Sequence, residues 1–233
     1  MNSGTRRATA GYIQAMDAQE VAQLATAWTQ GWALARNYEP AEEGGAIVVT
    51  RHDRDGLIEH ILVCPAAEDL ERHGPEFAGP DRVTIVSTDL PAVLAWAGGT
   101  NLSKAPSVET LMSTDMHGHD VEAPTPPGDG IRVQTESPRE RVTSVKVYLG
   151  EDLAASGSVA VVGNTAVFDA ISTEPEFRRR GLASFVMRTL AHEALKDDVE
   201  TGLLLASPDG LHLYRHLGWD EIASVPVFTP ESA

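Results

Sequence analysis

The chain has 233 residues, 42% of them hydrophobic and 22% charged, a normal globular composition with length for one large or two small domains. Its 18 Lys and Arg stand against 34 Asp and Glu, a net charge of −16, which disfavours DNA, RNA and anionic membranes as partners. Cys64 is the only cysteine, which excludes an internal disulfide. No run approaches the roughly 18 apolar residues of a membrane span, and residues 1–7 lack the apolar core of a secretory signal. A cytoplasmic location fits all of this.

In chain order, residues 17–37 predict a helix, with Val21, Leu24, Ala25, Trp28, Trp32 and Ala35 along one side. Strands follow at 46–50 and 57–63, separated by a turn at 53–56. A short helix near 67–73, a strand at 83–86, a helix at 89–97 and a strand near 109–114 complete the first half. Cys64 follows Ile61, Leu62 and Val63 and reads as a small buried hydrophobe. His117, His119 and Asp120 share a polar loop, but no cysteine or further cluster completes a ligand set, so no metal is expected.

Residues 123–130, Ala-Pro-Thr-Pro-Pro-Gly-Asp-Gly, are too rich in proline and glycine for helix or strand. They mark a linker between an N-terminal unit, 1–122, and a C-terminal unit, 131–233. Beyond it, 131–134, 141–149, 157–162 and 166–173 read as strands joined by short turns. Asp169 stands out, because a carboxylate in an otherwise apolar strand must face a polar partner or a cleft.

Pro175 ends the last of these strands, and Arg178-Arg179-Arg180-Gly181-Leu182-Ala183-Ser184 leads into a helix. That helix repeats Leu182, Phe185, Val186, Leu190, Ala191 and Leu195 at helical spacing. A strand that turns through small residues into a helix leaves unpaired N–H groups at the positive end of the helix dipole, a ready site for phosphate. Side chains at 181 and 183 would hold an anion away, and Gly and Ala supply almost none. The same run also suits an ordinary helix start with solvated arginines, so the loop by itself leaves both readings open.

After an acidic turn at 196–200 comes a strand at 203–206. Ser207 then reads as a helix cap with Pro208 in the first turn. Leu211, Tyr214 and Leu217 follow at helical spacing, Gly218 stops the helix, and a strand resumes at 219–222. Three segments carry a resemblance: Arg178-x-x-Gly181-x-Ala183, its approach Thr173-x-Pro175-Glu176-Phe177-Arg178, and Leu213-Tyr214-Arg215-His216-Leu217-Gly218-Trp219. In this order the chain from Ile131 onward resembles the GNAT superfamily of N-acetyltransferases. It departs from the family at Ser207, where many relatives have asparagine. The fold implied is α/β (α+β), a mixed, mostly antiparallel sheet flanked by helices.

The resemblance implies an acyl-CoA site. Its pantetheine arm would pair with Ile171, Ser172 and Thr173 as an added strand would. Its diphosphate would meet Arg178, Arg179, Arg180, Gly181, Leu182, Ala183 and Ser184. Tyr214 would lie near the thioester sulfur as general acid, suited by a phenol pKa of about 10. A base must also take a proton from the attacking amine. Asp169 is the preferred candidate, because Glu174 and Glu176 beside the arginines are more simply explained by ion pairing. The activity implied is transfer of an acetyl group from acetyl-CoA to a primary amine of a small molecule, by direct attack in a ternary complex. A non-catalytic acyl-CoA sensor or protein-interaction module would keep the loop and need neither acid nor base. That alternative stays open, as does a homodimer.

From Ile131 onward 10 Lys and Arg face 15 Asp and Glu, leaving 8 against 19 before it. So acidic a surface fits a cationic acceptor, though solubility explains the total equally. A shift of 120 positions also sets Ser87, Asp89 and Gly98 against Ser207, Asp209 and Gly218, with Leu94 in the place of Tyr214. The pattern suggests two fused GNAT-like halves, the first lacking the loop's arginines and glycine at 64–69. Only the four residues 136–139 separate the first two strands beyond the linker, too few for the two helices of a complete GNAT domain. The N-terminal half is therefore expected to cover that face and wall the acceptor cleft.

Overall fold

A computed structural model describes residues 16–73, 81–118 and 122–231; residues 1–7, His119 and Asp120, considered above, lie outside these. Its first half runs α1 (Ala18–Arg36), β1 (Pro40–Glu43), β2 (Ala46–Arg51), β3 (Leu57–Val63), α2 (Ala67–His73), β4 (Arg82–Val86), α3 (Leu90–Ala97) and β5 (Leu102–Asp115). The second runs β6 (Ile131–Arg139), β7 (Val142–Leu149), β8 (Asp152–Val162), β9 (Thr165–Thr173), α4 (Leu182–Ala194), β10 (Thr201–Ala206), α5 (Pro208–His216) and β11 (Asp220–Pro230). Residues 123–130 between them are neither helix nor strand.

The strands join one sheet in the order β1-β2-β3-β4-β11-β5-β10-β9-β8-β7-β6. Two neighbouring pairs, β3/β4 and β9/β10, are parallel, and each is bridged by a helix; the other pairs are antiparallel. The mixed sheet flanked by helices is the predicted class. Its centre was not foreseen. β5, from the first half, pairs with β10 from Asp115↔Thr201 to Thr110↔Ala206. β11, from the second half, pairs with β4 at Thr84↔Val227 and Val83↔Phe228. Each half lends its last strand to the other, and the two lent strands pair together along most of their length.

The element order β3-α2-β4-α3-β5 recurs as β9-α4-β10-α5-β11, in line with the internal repeat. The caps recur as well. Asp89 accepts from the Ala92 amide at the start of α3, and Ser207 from the Gly210 amide at the start of α5. β5 is longer than its apolar core predicts, because Pro106 looks like a strand breaker. Proline is tolerated where the ladder is irregular, and the β5/β11 register shifts between Val108↔Pro226 and Lys104↔Phe228, across Pro106. β1, an edge strand beginning with Pro40, had no signal in its polar residues.

A capping box starts α1: Asp17 accepts from the Glu20 amide at 2.8 Å, and Glu20 accepts from the Asp17 amide at 3.0 Å. Its buried stripe, Val21, Ala25, Trp28 and Trp32, joins a core shared with Ile61 of the first half and Val167 and Leu203 of the second. The helix lies across β8, β9 and β10. Residues 136–139 belong to β6 and only Glu140 and Arg141 turn the chain into β7, so no helix lies between these strands and α1 of the N-terminal half covers that face.

Gly31 sets how close α1 comes. A Cβ there would stand 2.3 Å from Val167 Cγ2, a distance no packed pair adopts. Gly31→Ala should therefore destabilise the fold by about 1–3 kcal/mol through overpacking, outweighing the roughly 1 kcal/mol gained in helix propensity. Urea unfolding measures this, and adding Val167→Ala should recover part of the loss.

Candidate active site

β9 and β10 are paired only from Thr165↔Thr201 to Phe168↔Leu204. β9 then continues to Thr173 along β8, and β10 continues to Ala206 along β5, so the parallel pair opens like a wedge. A bulge in β9 accompanies the opening. Ala170 takes a φ of 54°, and the β8/β9 register shifts between Ser156 and Ser158. Gly157 makes room in that interval, since a Cβ on it would lie 2.4 Å from Ile171 Cδ1. From Asp169 to Thr173, β9 thus has no strand neighbour on the β10 side. In the first half the corresponding pair stays shut. β3 and β4 are in register to Val63↔Val86, and the Cys64 amide donates to the Val86 carbonyl at 2.8 Å.

At the end of the wedge α4 begins on Gly181, with a φ of 76°, after Arg179 at 60°. Glycine suits a left-handed cap at no steric cost. No side chain caps this helix, and the Phe185 amide makes the first bond back, to the Gly181 carbonyl at 3.0 Å. The start of α4, Leu182, Ala183 and Ser184, therefore presents amides to an incoming anion. Arg178 donates to the Thr173 carbonyl at 3.2 Å, and Arg180 to the Glu176 carbonyl at 3.3 Å while resting over Phe177. Among the described residues Glu174 and Glu176 form none of the ion pairs expected of them, because Arg178 and Arg180 bond to backbone carbonyls instead. Thr173 Oγ1 is buried without a hydrogen-bond partner among the described residues.

Two cavities flank the wedge. One, of about 790 Å³, lies against α4 and the linker and is lined by Gly181, Ser184, Arg188, Pro124 and Pro127. The other, of about 320 Å³, lies toward α1 and is lined by Asp169, Ile171, Tyr214 and Glu109 together with several arginines. Phe168 lines both. Ile171 thus reaches the smaller cavity, Gly181 and Ser184 the larger.

Tyr214 is 7% exposed, and its ring packs edge-on to Trp219. Burial, and then the negative charge of Asp169, push its phenol up to about 12. Its hydroxyl makes no hydrogen bond among the described residues. Asp169 finds both a polar partner and a cleft: Arg36, in the last turn of α1, grips it through Nε and, at 3.2 Å, through a terminal nitrogen. That bond raises the Arg36 pKa further.

Glu109 was outside the expected site, although it lines the same cavity. Burial raises its pKa; Arg82 opposes the rise, and Glu59 and Asp169 add to it. It forms no hydrogen bond or ion pair among the described residues. Glu59 beside it is buried and fully engaged, accepting from Arg51 at 2.9 Å and Thr84 at 2.5 Å with Arg82 Nε at 3.2 Å. One signal for Glu109 was present in the sequence: two positions before Leu111, it repeats the anomaly of Asp169, a carboxylate in an apolar strand.

Residues 109–219 match the model of the acetyltransferase (GNAT) family. The matched segment begins inside β5 and crosses the linker. Among solved structures, a GCN5-related N-acetyltransferase from Kribbella flavida aligns over 91% of this chain and 96% of its own, at 14% identity and a TM-score of 0.61. A tandem GNAT protein from the clavulanic acid biosynthesis pathway aligns over 78% and 77%, at 12% identity and a TM-score of 0.53. A putative GNAT acetyltransferase from Novosphingobium aromaticivorans aligns over 83% and 92%, at 16% identity and a TM-score of 0.54. At these identities the likeness is one of fold. No curated protein matches the sequence. Among the described residues no helix is long and apolar enough to cross a membrane.

The raised Tyr214 pKa has a measurable consequence for stability. Burial pushes the phenol up to about 12 in the fold from its ordinary 10.0, so its neutral form contributes fully below pH 10. That contribution is lost as pH rises from about 10 toward 12. Urea unfolding between about pH 9 and 11 should show this decline in the parent and a flatter profile in Tyr214→Phe.

Proposed function

We propose that the protein is an N-acyltransferase that moves an acetyl group from acetyl-CoA to a primary amine of a small molecule, by direct attack in a ternary complex. The wedge between β9 and β10 carries this reading, because a cavity beside an uncapped helix start and a second cavity lined by titratable groups flank it, with Phe168 lining both. Residues 131–233 serve as the donor-binding GNAT unit, 123–130 as the linker, and 1–122 as a degenerate GNAT-like half that completes the acceptor side.

The residues present suit such a donor. Ile171, Ser172 and Thr173 offer an open strand edge and an unused hydroxyl to the pantetheine arm. The helix start at Gly181, Leu182, Ala183 and Ser184, with Arg178, Arg179 and Arg180 around it, holds the diphosphate. Bound acetyl-CoA supplies an activated acyl group as a thioester, so no metal is called for. Tyr214 protonates the departing thiolate and is kept neutral for the task by burial and by Asp169. Glu109 takes the proton from the attacking amine; burial lifts its basicity toward the range useful for that transfer. Asp169, expected as the base, is held by Arg36, and its charge helps to keep Tyr214 neutral.

The decisive assay is thiol release from acetyl-CoA that depends on added amine. Tyr214→Phe should lower kcat about 100-fold and leave acetyl-CoA affinity, measured by calorimetry, unchanged. Glu109→Gln should lower kcat/KM and abolish its acidic limb, which in the parent sits above the ordinary carboxylate range. Donor binding with no turnover on any amine would favour a sensor instead.

A further inference from the structure

The smaller cavity does not share the acidity of the molecule. Four arginines, Arg36, Arg51, Arg54 and Arg82, line it against three carboxylates, Glu59, Glu109 and Asp169, in a chain whose net charge is −16. Most of these charges are spent on one another. Arg36 holds Asp169, Arg51 holds Glu59 and Asp53, and Arg82 adds to Glu59. Two groups remain with no hydrogen bond or ion pair among the described residues: the carboxylate of Glu109 and the guanidinium of Arg54.

One unspent anion and one unspent cation on a cavity of about 320 Å³ complement a ligand that carries both charges. A polyamine would satisfy Glu109 but set a second cation against Arg54 and Arg82, and like charges inside a partly desolvated site are strongly disfavoured. Trp28, Trp32 and Phe168 supply an apolar wall. The acidic surface thus gives no guide to the acceptor, because the charges that meet a bound molecule are those of the cavity.

Building on the acyl-transfer reading, we propose that the acceptor is a compact zwitterion. Its amine faces Glu109, and its anionic group, carboxylate or phosphate, faces Arg54 with Arg82 behind. The ammonium first gives one proton to Glu109, and the neutral nitrogen then forms its bond to the acyl carbon as the carbon–sulfur bond breaks. The thiolate takes the Tyr214 proton, and the second proton lost from the nitrogen restores the phenol.

Calorimetric titration of the full chain, with and without coenzyme A, tests this using matched pairs. L-phenylalanine against phenethylamine reads the carboxylate, and O-phosphoethanolamine against ethanolamine reads the phosphate. The anionic member of at least one pair should bind about ten-fold or more tightly, as expected for a charged hydrogen bond. Arg54→Ala should erase that preference without weakening the plain amine, and Arg54→Lys should restore part of it. Equal binding within both pairs, tighter binding of the plain amines, or no binding of any member overturns the proposal. Thiol release from acetyl-CoA fastest with plain amines or polyamines overturns it too, while leaving acyl transfer intact. A zwitterion preference without thiol release upholds it and counts against acyl transfer.

Discussion

The exchange of β5 and β11 is the constraint on which the site depends. β10 needs a hydrogen-bonded neighbour on the side away from β9, and β5 of the first half fills that place. β4 is completed in the same way by β11. A strand edge left open in either half would carry a row of unpaired amides and carbonyls, a costly and aggregation-prone surface. Reciprocal lending removes both edges and makes the halves one sheet. It also brings Glu109 of the first half beside Asp169 and Tyr214 of the second, in a cavity that both halves line.

Within that sheet two related βαβ units have opposite fates. In the second half the bulge at Ala170 and the gap at Gly157 turn β9 away from β10. In the first, β3 and β4 stay paired to their ends, and the Cys64–Val86 hydrogen bond closes the last position. The difference is one of backbone pairing as well as of side chains. Restoring arginines to the first loop would not make a second site, because β3 and β4 stay paired where β9 and β10 part.

Charge in the smaller cavity is organised by pairing. Glu59 is buried, and its cost is met by Arg51, Arg82 and Thr84, since a buried carboxylate is tolerable only when its oxygens are satisfied. Arg36 does the same for Asp169 from α1, 133 residues away in sequence. These fixed pairs hold the cavity's shape and leave Glu109 and Arg54 as the groups with capacity to spare.

Local chemistry alone wrote much of this protein into its sequence. The helix periodicities, the Ser207 cap and the Gly181 loop are short-range patterns that reappear in the fold, and the 120-residue echo agrees with the recurring element order. Asp169 could be marked as anomalous from its apolar neighbours alone, though its partner could not. Tertiary structure decided the rest: the exchange of β5 and β11, the wedge after Phe168, the Arg36–Asp169 pair and the arrival of Glu109. Each of these depends on which distant segments become neighbours. Pairing of that kind is fixed by the competition of whole strands for shared edges and a shared core, which no window of adjacent residues records.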